Sequence, residues 1–502
     1  MSDDTATPVC LTGHDLTVDE VERVARGGAR VELARDAVER MAASRRVVES
    51  YVAGGRPAYG LTTGLGARVV EALPADALAE FSRRTVLGRA HSVGPPLPTE
   101  VVRAAMLVRV NGLAHGGAGA SPELAHALVA LLERRVHPIV PSIGTIGAAD
   151  ICVLAHVGLV VLGEGEAELR GEVLPGGRAL AAAGLAPLEL APKDGLALIS
   201  SNAVSAASAA LALVDAAAAL EAAQAAAALS MEGFRASLTP IDVRVAAARP
   251  APGQAAAAAG LRRLLAGGSL AAGGGRRLQD PLSFRCVSQV HGSLATALEL
   301  LRDALEPELN GAGDNPLVLV DDGVIVSTGN FFVPTLALAA DAVALALAQV
   351  ATLTAARVAR LLSEPLTDLP QNLAPAESSG TGMAPLLKVA GALVGEIVHS
   401  AAPATLASFA HRDESVEDAS TGAPLATGRL AAMLERWRLL IALELVVAAQ
   451  AVDLAAASNN LLLGGGTRAI HAAVRALAEP LRSDRPLGGD VERVAAGLGK
   501  LL

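Results

Sequence analysis

The sequence predicts an all-α protein, a bundle of long helices with a smaller mixed N-terminal domain. Three observations carry that expectation. Ala and Leu, both strong helix formers, dominate the 502 residues, and β-branched runs are short. From Lys193 onward, helical periodicity persists through long stretches with few breaks. The chain is 52% hydrophobic but only 2% aromatic, with a mean hydropathy of +0.44. Long helices packed on all sides would absorb that apolarity.

Residues 1–190 mix short helices with Gly- and Pro-containing loops. Thr17-Val18-Asp19-Glu20 has the form of a capped helix start, and the helix runs through Arg26. Residues 57–66 form a Gly/Thr loop. Residues 74–87 and 98–114 read as amphipathic helices, each with its proline in the first turn, where a missing N–H costs little. In residues 191–465 the long helices fall at about 195–232, 285–308, 333–362, 382–407 and 424–463. A strand pair is expected at 317–320 and 324–327, turning at Asp321-Asp322-Gly323. The Ala/Gly tract at 255–276 keeps Leu261, Leu264 and Leu265 at helical spacing and reads as small connecting helices. Residues 466–502 form a helical tail.

Composition also narrows the function. A net charge of −10 argues against a nucleic-acid partner. The opening MSDDTATPVC has neither a basic nor an apolar region of a signal peptide, so a cytoplasmic protein is expected. The apolar stretch 195–231 carries Ser200, Ser201, Asn202, Asp215, Glu221 and Gln224, which suits a buried helix better than a membrane span. Cys10, Cys152 and Cys286 lie far apart, so neither disulfides nor a metal site is expected.

Residues 144–167, GTIGAADICVLAHVGLVVLGEGEA, are the most informative stretch. They resemble the signature of the histidine/phenylalanine (aromatic amino acid) ammonia-lyase and aminomutase family. That signature reads roughly G-[ST]-[IV]-G-A-S-G-D-L, then L-A-H and G-E-G-E-A. In the family, the inner Ala-Ser-Gly cyclises and loses water to give the electrophile MIO, a methylidene-imidazolone. Here Gly144-Thr145-Ile146-Gly147-Ala148 match, but Ala149-Asp150-Ile151 follow, one residue short. Ala148 and Ala149 have no side chain to expel. Thr145 is followed by Ile146 and Cys152 by Val153, so neither precedes the glycine that cyclisation needs. Ala148, Ala149 and Asp150 therefore read as a degenerate MIO segment, and no MIO or other cofactor is expected.

The resemblance extends over roughly 55–420. Residues 58–66, AYGLTTGLG, are similar to the family's Y-G-x-N-T-G-F-G, which implies Tyr59 as the base. From the residues alone, a buried tyrosine packing a turn is the alternative. Residues 193–202, KDGLALISSN, resemble K-E-G-L-A-L-I-N-G-T, with Ser200 at the asparagine position and Asn202 two residues on. Either could meet substrate or simply satisfy buried polarity. Residues 278–292 are similar to Q-D-P-Y-S-x-R-C-x-P-Q-V-x-G. That match implies Arg285 as a bidentate carboxylate clamp, with Gln289 in the site; a subunit-bridging arginine is the alternative. Leu282 replaces the family's second tyrosine and can neither donate nor accept a proton.

Asn310 and Asp314-Asn315-Pro316-Leu317 match N-S-x-x-D-N-P-L, and Thr328-Gly329-Asn330-Phe331-Phe332 matches G-G-N-F. The resemblance implies that Asn315 and Asn330 donate into the site and that Phe331 shapes its wall. For Asn315, a turn-forming asparagine before proline competes. Ser415-Val416-Glu417-Asp418 resembles N-Q-E-D, placing Glu417 at the family's glutamate within an acidic cluster, Asp413 to Asp418. A solvated loop is the alternative there. Arg89 stands where a substrate-side histidine is common, with His91 close by.

The resemblance implies a homotetramer with shared active sites and a small amino-acid-like substrate. The leading expectation is a lyase-family enzyme that eliminates ammonia or a similar small group without MIO. Few aromatics and the acidic cluster favour a polar or cationic substrate. Covalent help of the MIO kind contributes on the order of 8 kcal/mol or more, whereas a general base alone gives about 100- to 10,000-fold. Backbone N–H groups near 147–150 are a candidate anion site in its place. The alternatives are a non-catalytic tetramer acting as a binding or scaffold protein, and an ammonia-lyase whose MIO forms from an atypical tripeptide.

Overall fold

The first helix begins where its capping box stands. Thr17 accepts from the Glu20 N–H, the Glu20 carboxylate accepts from the Thr17 N–H, and the helix runs Val18–Ala25. In this computed structural model, residues 7–375, 380–406, 418–459 and 461–500 are described. The chain divides into two compact units. One comprises Met1–Val214, Leu301–Ala340 and Pro403–Gly428; the other comprises Asp215–Leu300, Asp341–Ala402 and Arg429–Leu502. These units cut across the sequence ranges 1–190, 191–465 and 466–502, because four long helices start in one unit and end in the other.

The first unit holds the small β elements. Val9–Leu11 pairs in parallel with Val31–Leu33. His137–Pro138, Glu166–Leu169 and Glu172–Pro175 form a three-stranded antiparallel sheet. The expected hairpin forms between Leu317–Leu319 and Val324–Val326, with Leu317 opposite Val326. Through the middle runs helix Thr99–Ala114, buried from Val102 to Ala114. Pro98 sits at its N-cap, one position before the expected first turn.

Buried polar groups then fix the segments that matter for the site. Arg109 pairs with Asp314 at 2.7 Å, both side chains almost fully buried, and also donates to the Ala197 carbonyl. Lys193 donates to the carbonyls of Ala118 and Pro316, the latter at 3.1 Å. Burial pushes its ammonium down to about 8. The Asp194 carboxylate accepts from the Ser121 N–H at 2.8 Å and its hydroxyl at 2.7 Å. Asn310 is structural: its amide exchanges two hydrogen bonds with the Leu16 backbone.

The helix expected over 195–232 is two helices, Asp194–Ile199 and Ala203–Phe234. Ser200, Ser201 and Asn202 interrupt it because their polar groups bond elsewhere. The Ser201 carbonyl accepts from the Asp150 N–H, and the Asn202 amide donates to the Phe331 carbonyl. The helix expected over 382–407 ends at Ser400.

The second unit is helical. Its core contains fully buried Trp437 and a Phe234–Phe284 stack with centroids 4.1 Å apart. Three helical stretches, Asp194–Phe234, Pro334–Leu361 and Ala423–Ala457, are by length and composition apolar enough to cross a membrane, and 61% to 78% of their most apolar windows is buried within the protein. Their burial accommodates charge as well. Arg357 Nε meets Glu444 Oε1 at 2.5 Å and Nη2 meets Oε2 at 2.9 Å, both side chains wholly buried. The Ser230 hydroxyl donates to the same carboxylate at 2.8 Å. Removing one member leaves a buried charge unpaired. Glu444→Ala should therefore lower unfolding free energy by about 3–5 kcal/mol in urea titration; a loss no larger than that of an exposed ion pair such as Arg35–Glu39 would contradict this.

Candidate active site

Tyr59 enters its position through a tight loop. The Ala58 carbonyl accepts from the N–H groups of Leu61, Thr62 and Thr63 at 3.0–3.2 Å. Gly60 has φ +62, and a Cβ there would lie 2.5 Å from a Leu196 methyl. The loop folds back so that the Gly66 N–H donates to the Tyr59 hydroxyl at 3.1 Å. The phenol thereby borders a cavity of about 350 Å³. Ala148, Ala149, Asn315 and Phe331 form other parts of its wall, together with Arg89, Leu196, Ser200 and Thr328. All of these belong to the first compact unit.

The degenerate segment is held tightly. Gly147 has φ +84, and a Cβ there would fall 2.1 Å from the Thr421 hydroxyl. That hydroxyl donates to the Gly147 carbonyl at 2.9 Å, and the Gly422 N–H donates to the Ile146 carbonyl at 3.2 Å. Ala148 bridges to Phe332. Ala149 is left-handed at φ +60, a conformation that costs an L-residue roughly 1–2 kcal/mol.

Asp150 holds that turn in place. Its N–H donates to the Ser201 carbonyl at 2.7 Å. Its carboxylate accepts from the Ser205 N–H at 2.8 Å and the Ser205 hydroxyl at 3.1 Å. The Thr145 hydroxyl lies 3.2 Å from Asp150 Oδ1 and 3.0 Å from the Ala149 carbonyl. Burial outweighs these donors and pushes the carboxyl up to about 6. Glu308 lies close enough that burial and the Asp150 charge together push it up to about 7.

These residues do not fit a methylidene-imidazolone. The two side chains on the cavity wall are methyl groups, with nothing to expel. The Asp150 nitrogen is engaged with Ser201. Of the backbone donors at 147–150, the Gly147 N–H faces the Thr145 hydroxyl at 3.3 Å and the Asp150 N–H is taken by the Ser201 carbonyl.

The profile of the family described as "Aromatic amino acid lyase" matches residues 16–476. This chain belongs to the aromatic amino acid lyase family. As such it is a carbon–nitrogen lyase. It is 40% identical over 501 residues to the histidine ammonia-lyase of Anaeromyxobacter sp. (strain K), covering 97% of each chain. Among solved structures it resembles the ergothioneine-degrading ergothionase of Treponema denticola, in complex with desmethyl-ergothioneine sulfonic acid. The TM-score is 0.94 at 31% identity, over 99% of this chain and 100% of that one. It also resembles the histidine ammonia-lyase of Trypanosoma cruzi, with TM-score 0.90 at 30% identity, over 98% and 93%.

Within this lyase, the structure brings together only part of the predicted set. Tyr59, Ala148, Ala149, Asn315 and Phe331 share the cavity. The Asn315 amide oxygen accepts from the Thr328 N–H at 2.9 Å, so the residue both shapes the loop and faces the cavity. Asn202 stands behind the wall; its Nδ2 donates to the Phe331 carbonyl at 2.6 Å, which fixes that loop rather than lining the cavity. Asn330 is exposed, bonds the Ala312 carbonyl at 3.2 Å, and lines a separate cavity with His14 and His115.

Arg285 and Gln289 belong to the second unit. There Arg285 Nε donates to the Asp280 carbonyl at 2.7 Å, and the Gln289 amide oxygen accepts from the Ser288 hydroxyl. Leu282, at the second tyrosine's position, is exposed. Glu417 and residues 413–416 of the acidic cluster lie outside the described residues. Among the described lining residues there is no carboxylate. Glu308 escaped the sequence reading, since Glu306-Pro307-Glu308 looks like a solvated helix end; its place two residues before the Asn310 motif was the available signal.

Asp150 gives a test with a definite sign. Its carboxyl is raised from 3.8 to about 6, so the folded state holds the proton more tightly than the unfolded chain. Its contribution to stability is full below pH 4, falls as pH rises from about 4 to 6, and is constant above that. A shift of this size corresponds to about 3 kcal/mol. Asp150→Asn keeps an acceptor for the Ser205 N–H and should flatten that decline, measured as urea midpoint against pH; parallel profiles for the two proteins would refute the assignment.

Proposed function

We propose that this lyase eliminates an amine from a histidine-like amino acid without a methylidene-imidazolone, using Tyr59 as the base. The observation that carries this reading is the pair of methyl groups, Ala148 and Ala149, on the wall of the cavity that Tyr59 borders. The Tyr59 phenolate takes a β-proton. The C–H electron pair becomes the new C=C bond as the Cα–N bond breaks, and the nitrogen leaves with its electron pair as a neutral amine. No electrophile assists, so the nitrogen must already be a good leaving group. A fully alkylated α-ammonium meets that need, because it carries its positive charge permanently and departs neutral.

The fold neighbour from Treponema denticola supports this choice. That enzyme degrades ergothioneine, a histidine-derived betaine whose α-nitrogen is quaternary. The match to histidine ammonia-lyase over nearly the full chain supports an imidazole-bearing side chain. The reading includes a cytoplasmic homotetramer with shared sites, in which Arg285 and Gln289 come from a neighbouring subunit. Large apolar side chains left exposed on helices Pro334–Leu361 and Ala384–Ser400, among them Leu345, Leu387, Val389 and Val398, suit packing against further copies.

Tyr59→Phe removes only the hydroxyl. Turnover of histidine betaines should fall about 100- to 10,000-fold, followed as the absorbance of the unsaturated product, with oligomeric state unchanged by light scattering. Turnover retained in the phenylalanine variant would remove Tyr59 as the base. Free histidine should be turned over at least about 100-fold more slowly than its trimethylated betaine, a gap matching roughly 3 kcal/mol of missing leaving-group assistance; equal rates would argue for an electrophile.

A further inference from the structure

Of the described lining residues of the cavity, Arg89 alone carries a permanent charge, set among Leu65, Val69, Ile151 and Phe331 and several hydroxyl and amide groups. Arg89 sits just past the C-terminus of helix Leu78–Leu87, whose C-cap is Gly88. Its backbone is fixed by an N–H donated to the Val86 carbonyl at 3.1 Å. Its guanidinium makes one long contact, Nη1 to the Thr85 carbonyl at 3.5 Å. A guanidinium has five N–H donors, so most of them have no protein acceptor among the described residues. Other half-buried arginines of the first unit are better served: Arg45 reaches the Pro192 carbonyl at 2.6 Å and the carboxylates of Glu49 and Asp194 at 3.4 and 3.8 Å. Arg40 meets the Asp36 carboxylate at 2.9 Å and the carbonyls of Thr12 and Ala114.

We propose that Arg89 is the anion-binding residue of this cavity, and that the substrate presents a carboxylate or a ring-borne anion to it. An arriving anion would supply the missing acceptors in a planar, bidentate arrangement. Partly desolvated by apolar walls, such a pair is worth more than one in open solvent. This deepens the elimination reading and shares its cavity, but it concerns binding alone. The competing role is a helix cap: a cation past a helix C-terminus favours the last carbonyls, and that role would affect stability without discriminating between ligands.

Calorimetric titration of the intact protein tests it with three probes: histamine, which has no anion; 3-(imidazol-4-yl)propionate, which has a carboxylate; and imidazole-4-sulfonate, which has a ring-borne anion. At least one anionic probe should bind the wild type more tightly than histamine does. Arg89→Gln should weaken that probe about 10- to 100-fold, the range of a charged hydrogen bond. Arg89→Lys should weaken it less, and histamine should be unaffected in either variant. Sensitivity of the propionate alone assigns Arg89 to the substrate carboxylate, and sensitivity of the sulfonate alone assigns it to the ring. The proposal is overturned if no anionic probe outbinds histamine, if Arg89→Gln leaves anion affinity unchanged, or if histamine weakens equally. Repeating the titrations in Tyr59→Phe separates the two readings: Arg89-dependent affinity should persist there whether or not any substrate is turned over.

Discussion

The buried Asp150 carboxylate is the constraint on which the site depends. It accepts from both the backbone and the hydroxyl of Ser205, while its own N–H holds the Ser201 carbonyl. Those bonds tie the turn at 144–151 to the start of helix Ala203–Phe234. They force the break at Ser200–Asn202, which frees Asn202 to hold the Phe331 loop. They also keep Ala149 in a left-handed conformation that an alanine would not choose alone. An isolated carboxylate this deep would be costly; three donors and a raised protonation midpoint make it tolerable. The frame of the turn is thus held around two residues, Ala148 and Ala149, whose side chains are methyl groups.

That separation of frame from chemistry explains the character of the cavity. Its wall offers a phenol, one guanidinium, two methyl groups and several neutral hydrogen-bonding groups. The set is suited to binding, orienting and deprotonating, and it has no group able to capture an electron pair from a departing nitrogen. On the reading proposed above, the work of leaving lies in the substrate. Residues 413–417 of the expected anionic cluster lie outside the described residues, and the one permanent charge of the described wall is positive.

Much of this was legible in the sequence wherever a local rule decided the outcome. The capping box at Thr17, the hairpin at 317–326 and the long helices expected at about 333–362 and 424–463 follow from neighbouring residues and appear close to where they are expected. The tyrosine loop and the 144–151 segment were found by motif, and the cavity joins them. The break at Ser200–Asn202 was not legible, since its cause is bonding to residues about 50 and 130 positions away. Glu308 was missed for a related reason: only folding brings it near Asp150. Asn330 shared a motif with Phe331, yet the loop turns it to another surface. A motif fixes the path of the backbone more firmly than the direction of each side chain along it.

The central claim is that catalysis proceeds on an uncyclised backbone. The most direct measurement is the mass of the peptide containing residues 144–151, isolated by digestion from protein that is turning over its substrate. The account predicts the mass of the plain sequence. A peptide lighter by lost water would contradict it, whatever residues had closed the ring.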